Sequence, residues 1–153
     1  MTGSSFYEES SKLLTSGAFE FVLDNELKRA VRSQSYLTLV TVETGREWEG
    51  MTVTADDGTL QEVALIIGSE VRDTDLLGHT GRGVLAIVLL DADFEHSERV
   101  INRLVSCIEK HEFPTQTRIA VGAACYPTDA VDADSLKRRA LSRPIVDWRG
   151  GVH

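Results

Sequence analysis

The sequence predicts an α+β fold, in which a βαββαβ core forms an antiparallel sheet with flanking helices. Three observations lead to this prediction. Apolar residues recur at helical spacing in four segments, and runs rich in β-branched residues lie between them. Along the chain, the order is helix, strand, helix, strand, strand, helix, strand and helix. This order contains one βαββαβ unit, whose strands pack as an antiparallel sheet with helices on one face.

The chain is expected to hold one domain behind a short lead-in. Residues 1–16 are rich in serine and are expected to form a short helix or a disordered segment. Residues 17–153 are expected to form a single domain, because a chain of 153 residues suits one hydrophobic core. The domain begins with an amphipathic helix over residues 17–34, where Phe19 and Leu23 recur on one face.

The next three segments follow from changes of pattern. Residues 36–43 alternate threonine with apolar residues and are predicted to form a strand. Residues 44–58 are poorly patterned and are expected to be an irregular connection punctuated by glycines. Residues 59–71 return to helical spacing and predict a second helix, whose N-cap is either Asp56 or Asp57.

The second half of the chain predicts a hairpin, a long helix, a strand and a short helix. The hairpin spans residues 72–90, and its almost wholly apolar second strand is typical of a central strand covered on both faces. A helix over residues 95–112 ends before Pro114, a strand follows over residues 118–126, and the last helix spans residues 134–143. This ferredoxin-like arrangement serves many unrelated functions and does not identify one.

Charge and composition exclude several classes of function. With 16 Lys and Arg against 24 Asp and Glu, the net charge is −8, and this excess of carboxylates repels nucleic acids and anionic membrane surfaces. No apolar run reaches the roughly 20 residues of a membrane span, and the chain does not start like a secretory signal. We therefore expect a cytoplasmic protein with two reduced cysteines, Cys107 and Cys125, no metal site and no cofactor.

Several short motifs, in the order and spacing found here, resemble those of a known family. The first predicted helix carries Phe19, Leu23, Glu26, Leu27, Arg29, Ala30 and Arg32. The further matching segments are residues 63–64, 71–75, 121–122, 126–127 and 129. From about residue 14 to residue 143, the chain resembles the GGDEF domain, the fold of the diguanylate cyclases. The resemblance implies a nucleotide cyclase fold and a role in bacterial signal transduction through cyclic di-GMP.

The turn of the predicted hairpin departs from the family's signature. It consists of Gly81, Arg82, Gly83, Val84 and Leu85. The resemblance aligns the family's catalytic carboxylate with Val84, and its first-strand metal ligand with Glu43 or, in a shifted register, Thr41. Phosphoryl transfer depends on a divalent metal held by carboxylates near the triphosphate. Because this turn has no carboxylate, we expect a degenerate domain that is not an enzyme and has no catalytic residue.

A second site of the family is matched more closely. The family's inhibitory site is an Arg-x-x-Asp motif five residues before the turn, and Arg72 and Asp75 have this spacing. A guanidinium can fork onto guanine O6 and N7 or onto a phosphate, and a carboxylate can accept from guanine N–H groups. The resemblance therefore implies cyclic di-GMP binding here, with Arg99 or Arg103 as a further arginine. The alternative is a solvated ion pair and turn cap.

Three functions stay open from the sequence. The first is a catalytically inactive regulatory or interaction domain that binds cyclic di-GMP, a protein partner or a second copy of itself. The second is a divergent diguanylate cyclase that uses Glu43 and Asp57, and the third is a structural dimerisation domain. The last helix carries basic residues that suit either its helix dipole or a partner: Lys137, Arg138, Arg139 and Arg143. Trp48 is expected to fill a gap beside the irregular connection or to anchor a partner.

Overall fold

The computed structural model of the chain describes residues 13–151. Its helices are α1 (Ser16–Ser33), α2 (Asp57–Glu70), α3 (Phe94–Lys110) and α4 (Ala133–Ser142). Its strands are β1 (Leu37–Trp48), β2 (Met51–Thr54), β3 (Leu76–Gly81), β4 (Val84–Leu90), β5 (Thr117–Tyr126) and β6 (Val146–Gly150). Most of the expected lead-in, residues 1–12, lies outside the described residues. Leu13 and Leu14 of that lead-in are buried in the core, and the domain boundary after residue 16 stays a prediction.

The strands form one antiparallel sheet, which confirms the predicted α+β class. Its order is β3-β4-β1-β5-β6, and β2 pairs with the end of β1 beyond the reach of β4. The central strand β1 lies between β4 and β5. Glu43 is therefore opposite Val84 on one side and Ala120 on the other.

Alternation along the central strands divides the core into two layers. Val40 and Val42 face a cluster that contains the apolar sides of α2 and α3. Leu37 and Leu39 point to the opposite face, where α1 and α4 supply Phe19 among other residues. Successive side chains of a strand point to opposite faces, so β1 is buried on both. The helices of the βαββαβ unit, α2 and α3, share one face as expected.

The prediction of an irregular connection over residues 44–58 is wrong. Strand β1 continues to Trp48, and the chain returns as β2 in a hairpin. Glu49 and Gly50 both have positive φ angles, 48° and 81°, as a two-residue type I′ turn requires. The glycines of this segment suggest an interruption of the strand. Gly45 instead lies within β1, where the facing strand leaves no room for a side chain, because a Cβ would come within 2.8 Å of Thr52 Cγ2.

A second element, β6, was not predicted at all. It follows α4 after three residues and pairs with β5 at the edge of the sheet. Its Trp148 ring lies 5.6 Å from the Phe113 ring, centroid to centroid, so this strand extends the α2/α3 layer of the core. A run of five residues is too short for its alternation to stand out from a loop.

Two residues singled out from the sequence have simpler roles than expected. The N-cap of α2 is Asp56, whose carboxylate accepts from the Thr59 backbone N–H at 2.8 Å. This hydrogen bond lowers the pKa of Asp56, while Asp57 lies in the first helical turn. Trp48 is half exposed at the β1–β2 hairpin tip under the Arg46 guanidinium, 5.1 Å away, so it does not fill a gap.

Within residues 13–151, no helix is long and apolar enough to cross a membrane.

Candidate functional site

The turn between β3 and β4 is packed tightly against the β1–β2 hairpin. Gly81 and Val84 close the turn, and Gly83 has a φ of +74°. A Cβ on Gly83 would lie 2.7 Å from the Thr54 methyl carbon and 3.2 Å from the Thr44 carbonyl oxygen. The Thr44 N–H also donates to the Gly83 carbonyl at 2.8 Å. Glycine is therefore required here by both backbone conformation and space.

Glu43 is the carboxylate that the structure places beside this turn. Glu43 is exposed and lies directly opposite the buried Val84. Among residues 13–151, no three His, Cys, Asp or Glu side chains lie close enough together to hold a metal ion. Beside Val84, the described residues therefore offer the Glu43 carboxylate as a metal ligand without a cluster of three such side chains.

The Arg72 and Asp75 side chains meet at the junction between α2 and β3. The Asp75 side chain is 1% exposed, and its Oδ2 accepts from the Arg72 backbone N–H at 3.0 Å. Its Oδ1 accepts from the Leu90 backbone N–H at 3.4 Å and lies 3.3 Å from Arg72 Nη2. Both carboxylate oxygens therefore bond within the protein and tie this junction to the end of β4.

The Arg72 guanidinium is held at one end and open at the other. Its Nε and Nη2 donate to Asp75, and Nη2 also donates to the Leu90 carbonyl at 3.0 Å. The side chain is 51% exposed, and Nη1 makes none of these contacts. The structure thus shows the ion pair and turn cap that the sequence offered as the alternative to a ligand site. Direct contact of Asp75 with a ligand stays a prediction, and in this structure its carboxylate orients Arg72.

Arg72 borders a polar cleft of about 350 Å³ between the end of α1, the start of β1 and the end of β4. Arg29 lies on the α1 wall and pairs with Glu26 at 3.4 Å, and the half-exposed Tyr36 lies where β1 begins. Glu26 Oε2 is buried and has no hydrogen-bond partner among the residues that the structure describes. Arg29 was noted in the sequence only as part of a helix motif, because nothing along the chain shows that α1 reaches Arg72.

The arginines of α3 stand apart from this cleft. Arg103 donates to the backbone carbonyl of Glu70 at 3.2 Å and lies 3.6 Å from its carboxylate. Arg103 therefore caps the C-terminal end of α2. Neither Arg99 nor Arg103 lines the cleft, so the expectation that one of them is the companion of Arg72 is not met within this copy of the chain.

The basic residues of α4 divide between the fold and the surface. Lys137 binds the Glu20 carboxylate of α1 at 2.7 Å and is largely buried, so it fixes α4 against α1. Arg138 donates to Ser135 within the helix. Arg139 and Arg143 are exposed at the C-terminal end of α4, where positive charge suits the helix dipole.

Comparison with known families identifies the class of domain and corrects one expectation. The sequence profile described as "Diguanylate cyclase, GGDEF domain" matches residues 9–143. The prediction that the chain is not an enzyme is wrong, because the family it matches is one of cyclases. The missing carboxylate at Val84 is a property of one turn and does not remove the domain from this class. No curated protein matches the chain.

Solved structures carry the same fold. The GGDEF domain of YfiN, also called TpbB, from Pseudomonas aeruginosa shares 21% identity and covers 85% of this chain and 86% of its own, with a TM-score of 0.72. The FimX GGDEF domain from the same organism shares 18% identity, with 90% of both chains covered and a TM-score of 0.74. The GGDEF domain of DgcB from Caulobacter crescentus, solved with c-di-GMP, shares 13% identity, covers 90% and 86%, and has a TM-score of 0.69. The profile match over most of its length shows that this chain belongs to the GGDEF family.

Proposed function

We propose that this GGDEF domain is a regulatory domain that binds cyclic di-GMP in the cleft beside Arg72. The observation that carries the proposal is the half-exposed guanidinium of Arg72, held in place by a buried carboxylate at the edge of a polar cleft. A DgcB GGDEF domain of the same fold was solved with this ligand. The domain would act in cytoplasmic signalling and pass the ligand's presence to a protein partner or a second copy.

The chemistry of the cleft suits one half of this ligand. Arg72 Nη1, which its contacts to Asp75 and Leu90 leave open, can donate to a guanine acceptor or to a phosphate oxygen, and Arg29 lines the same cleft as a second cation. The half-exposed ring of Tyr36 offers a surface on which a guanine can stack. Because Asp75 already orders Arg72, binding needs less loss of side-chain entropy than a free surface arginine would.

The first prediction concerns Arg72 itself. We expect Arg72→Ala to weaken cyclic di-GMP binding by about 10- to 100-fold, because a hydrogen bond from a charged group contributes about 1.5–3 kcal/mol. Arg72→Lys keeps the charge but loses the planar guanidinium that Asp75 holds in place, so its affinity should lie between those of Arg72→Ala and the unaltered protein. Isothermal titration calorimetry of the three proteins measures this difference.

The matched control is Arg82→Ala, which removes an exposed arginine of the β3–β4 turn that does not line the cleft. It should bind like the unaltered protein. Equal affinities of Arg72→Ala and the unaltered protein would contradict the assignment of the site. An unaltered domain that gives no binding heat at all would contradict the function, and a dimerisation domain would then be favoured.

Synthesis of cyclic di-GMP is the second candidate function, and the cyclase description of the family favours it. The side chains available for it are Glu43, which faces the strand of Val84, and Asp57 at the start of α2. Incubation with GTP and magnesium, followed by chromatography of the nucleotides, tests it. A cyclic product that forms with the unaltered protein and not with Glu43→Gln would support synthesis by this chain. A product that forms equally with Glu43→Gln would show that Glu43 is not required for the reaction.

A further inference from the structure

An apolar pocket of about 240 Å³ lies between α3 and the end of β5, away from the Arg72 cleft. Ile101, Ala123 and Cys125 are among its lining residues, and burial raises the pKa of the Cys125 thiol. Phe94 and Ile145 border the pocket, and both side chains are more than half exposed. Two large apolar side chains beside an apolar pocket are unusual on a solvated surface and indicate a contact site.

The pocket has an acidic rim. Glu98 lies on the exposed side of α3 and forms no ion pair within residues 13–151. Asp129 accepts from the Cys125 backbone N–H at 2.9 Å and adds a second negative charge. A partner that fills this pocket would therefore present an apolar side chain accompanied by positive charge.

The same chain carries such a group in a depression that shares Asp129 with the pocket. Asp129 also borders a shallow depression along the C-terminal half of α4. The side chains in that depression include Arg138, Arg139, Leu141 and Arg143. Leu141 is partly exposed among these three arginines. We name the pocket and this depression together the α3–α4 surface.

We propose that two copies of this chain pair through the α3–α4 surface about a two-fold axis. Leu141 of each copy enters the apolar pocket of the other, and Arg139 of each faces Glu98 of the other. A two-fold interface must be self-complementary, and an acidic apolar pocket and a basic apolar strip that meet at Asp129 supply the two halves. With a net charge of −8, two copies repel each other elsewhere, so a basic strip is where contact is least opposed. This inference goes beyond nucleotide binding and does not involve Arg72.

Charge reversal with mixing tests the pairing. In a dimer of the Glu98→Lys variant, each of the two symmetric contacts would bring a lysine against Arg139 of the other copy. In a dimer of the Arg139→Glu variant, each would bring a glutamate against Glu98 of the other copy. We expect each variant alone to dimerise at least about tenfold more weakly than the unaltered protein. In an equimolar mixture, the heterodimer restores two attractive pairs, so dimerisation should recover. Sedimentation velocity over a concentration series measures all four samples.

The matched controls reverse equivalent charges elsewhere on the surface. Glu109→Lys lies near the other end of α3, and Arg32→Glu lies on α1; both residues are exposed, and neither lines the pocket or the depression. These two variants should dimerise like the unaltered protein. Recovery on mixing also shows that the two test variants are folded. The proposal is overturned if the unaltered protein stays monomeric at millimolar concentration, if Glu98→Lys alone dimerises normally, or if mixing restores nothing.

Discussion

Asp75→Ala is expected to lower the free energy of unfolding by about 3 kcal/mol, because it leaves buried donors without an acceptor. The carboxylate is 1% exposed and bonds the backbone N–H groups of Arg72 and Leu90, which belong to two different segments. Without it, these N–H groups keep their desolvation cost, and the α2–β3 junction loses its tie to β4. Cyclic di-GMP binding should also weaken, because Arg72 would lose the group that orients it.

Urea denaturation followed by circular dichroism measures the loss of stability. Asp73→Ala is the matched control, since Asp73 is an exposed acid two residues away, and its stability should change by less than about 0.5 kcal/mol. Asp75→Asn retains one acceptor oxygen and should lie between the control and Asp75→Ala. If Asp75→Ala is as stable as Asp73→Ala, the junction does not depend on this carboxylate and the account of how Arg72 is positioned is wrong.

Gly122→Ala is expected to destabilise the fold by about 2–3 kcal/mol through overpacking. A Cβ on Gly122 would point at the Ala140 backbone of α4, and the carbonyl carbon alone would lie 2.8 Å away. The obstacle is main chain and not the end of a flexible side chain. The whole helix must therefore move outward from β5, and Leu136 and Ala140 would lose their packing against the sheet.

The same substitution at Gly68 is expected to have the opposite effect on stability. Gly68 lies inside α2, and nothing stands within 4 Å of the place where its Cβ would be. Alanine there should raise stability by about 0.5–1 kcal/mol, because it costs less backbone entropy than glycine in a helix. Thermal and urea denaturation of both variants would show opposite shifts. A Gly122→Ala protein as stable as the unaltered one would mean that α4 does not pack this closely.

Periodicity was enough to predict the helices and the central strands. Phe19 and Leu23 in α1, and the wholly apolar β4, are buried as their spacing indicates. The β1–β2 hairpin was missed because Glu49 and Gly50 form a tight turn that local pattern does not separate from a loop. Strand β6 was missed because five residues are too few for alternation to be recognised.

The sequence indicates only those parts of the candidate site that lie close together along the chain. The pairing of Arg72 with Asp75 depends on a spacing of three residues, which the sequence displays directly. The backbone partner Leu90 and the cleft wall with Arg29 come from distant segments, and only the packing of β4 and α1 brings them to Arg72. The turn at Val84 shows a different limit, because a single missing carboxylate led to the wrong prediction that the chain is not an enzyme.

Titration of the ¹⁵N-labelled domain with cyclic di-GMP, followed by amide NMR shifts, tests the central claim most directly. The account predicts that the largest shifts lie around the cleft, at the end of α1, at Tyr36, at Arg72 and at Asp91, and that Arg72→Ala needs about 10- to 100-fold more ligand to reach them. Shifts concentrated at Glu43 and the Gly83 turn, or shifts that Arg72→Ala leaves unchanged, would contradict it.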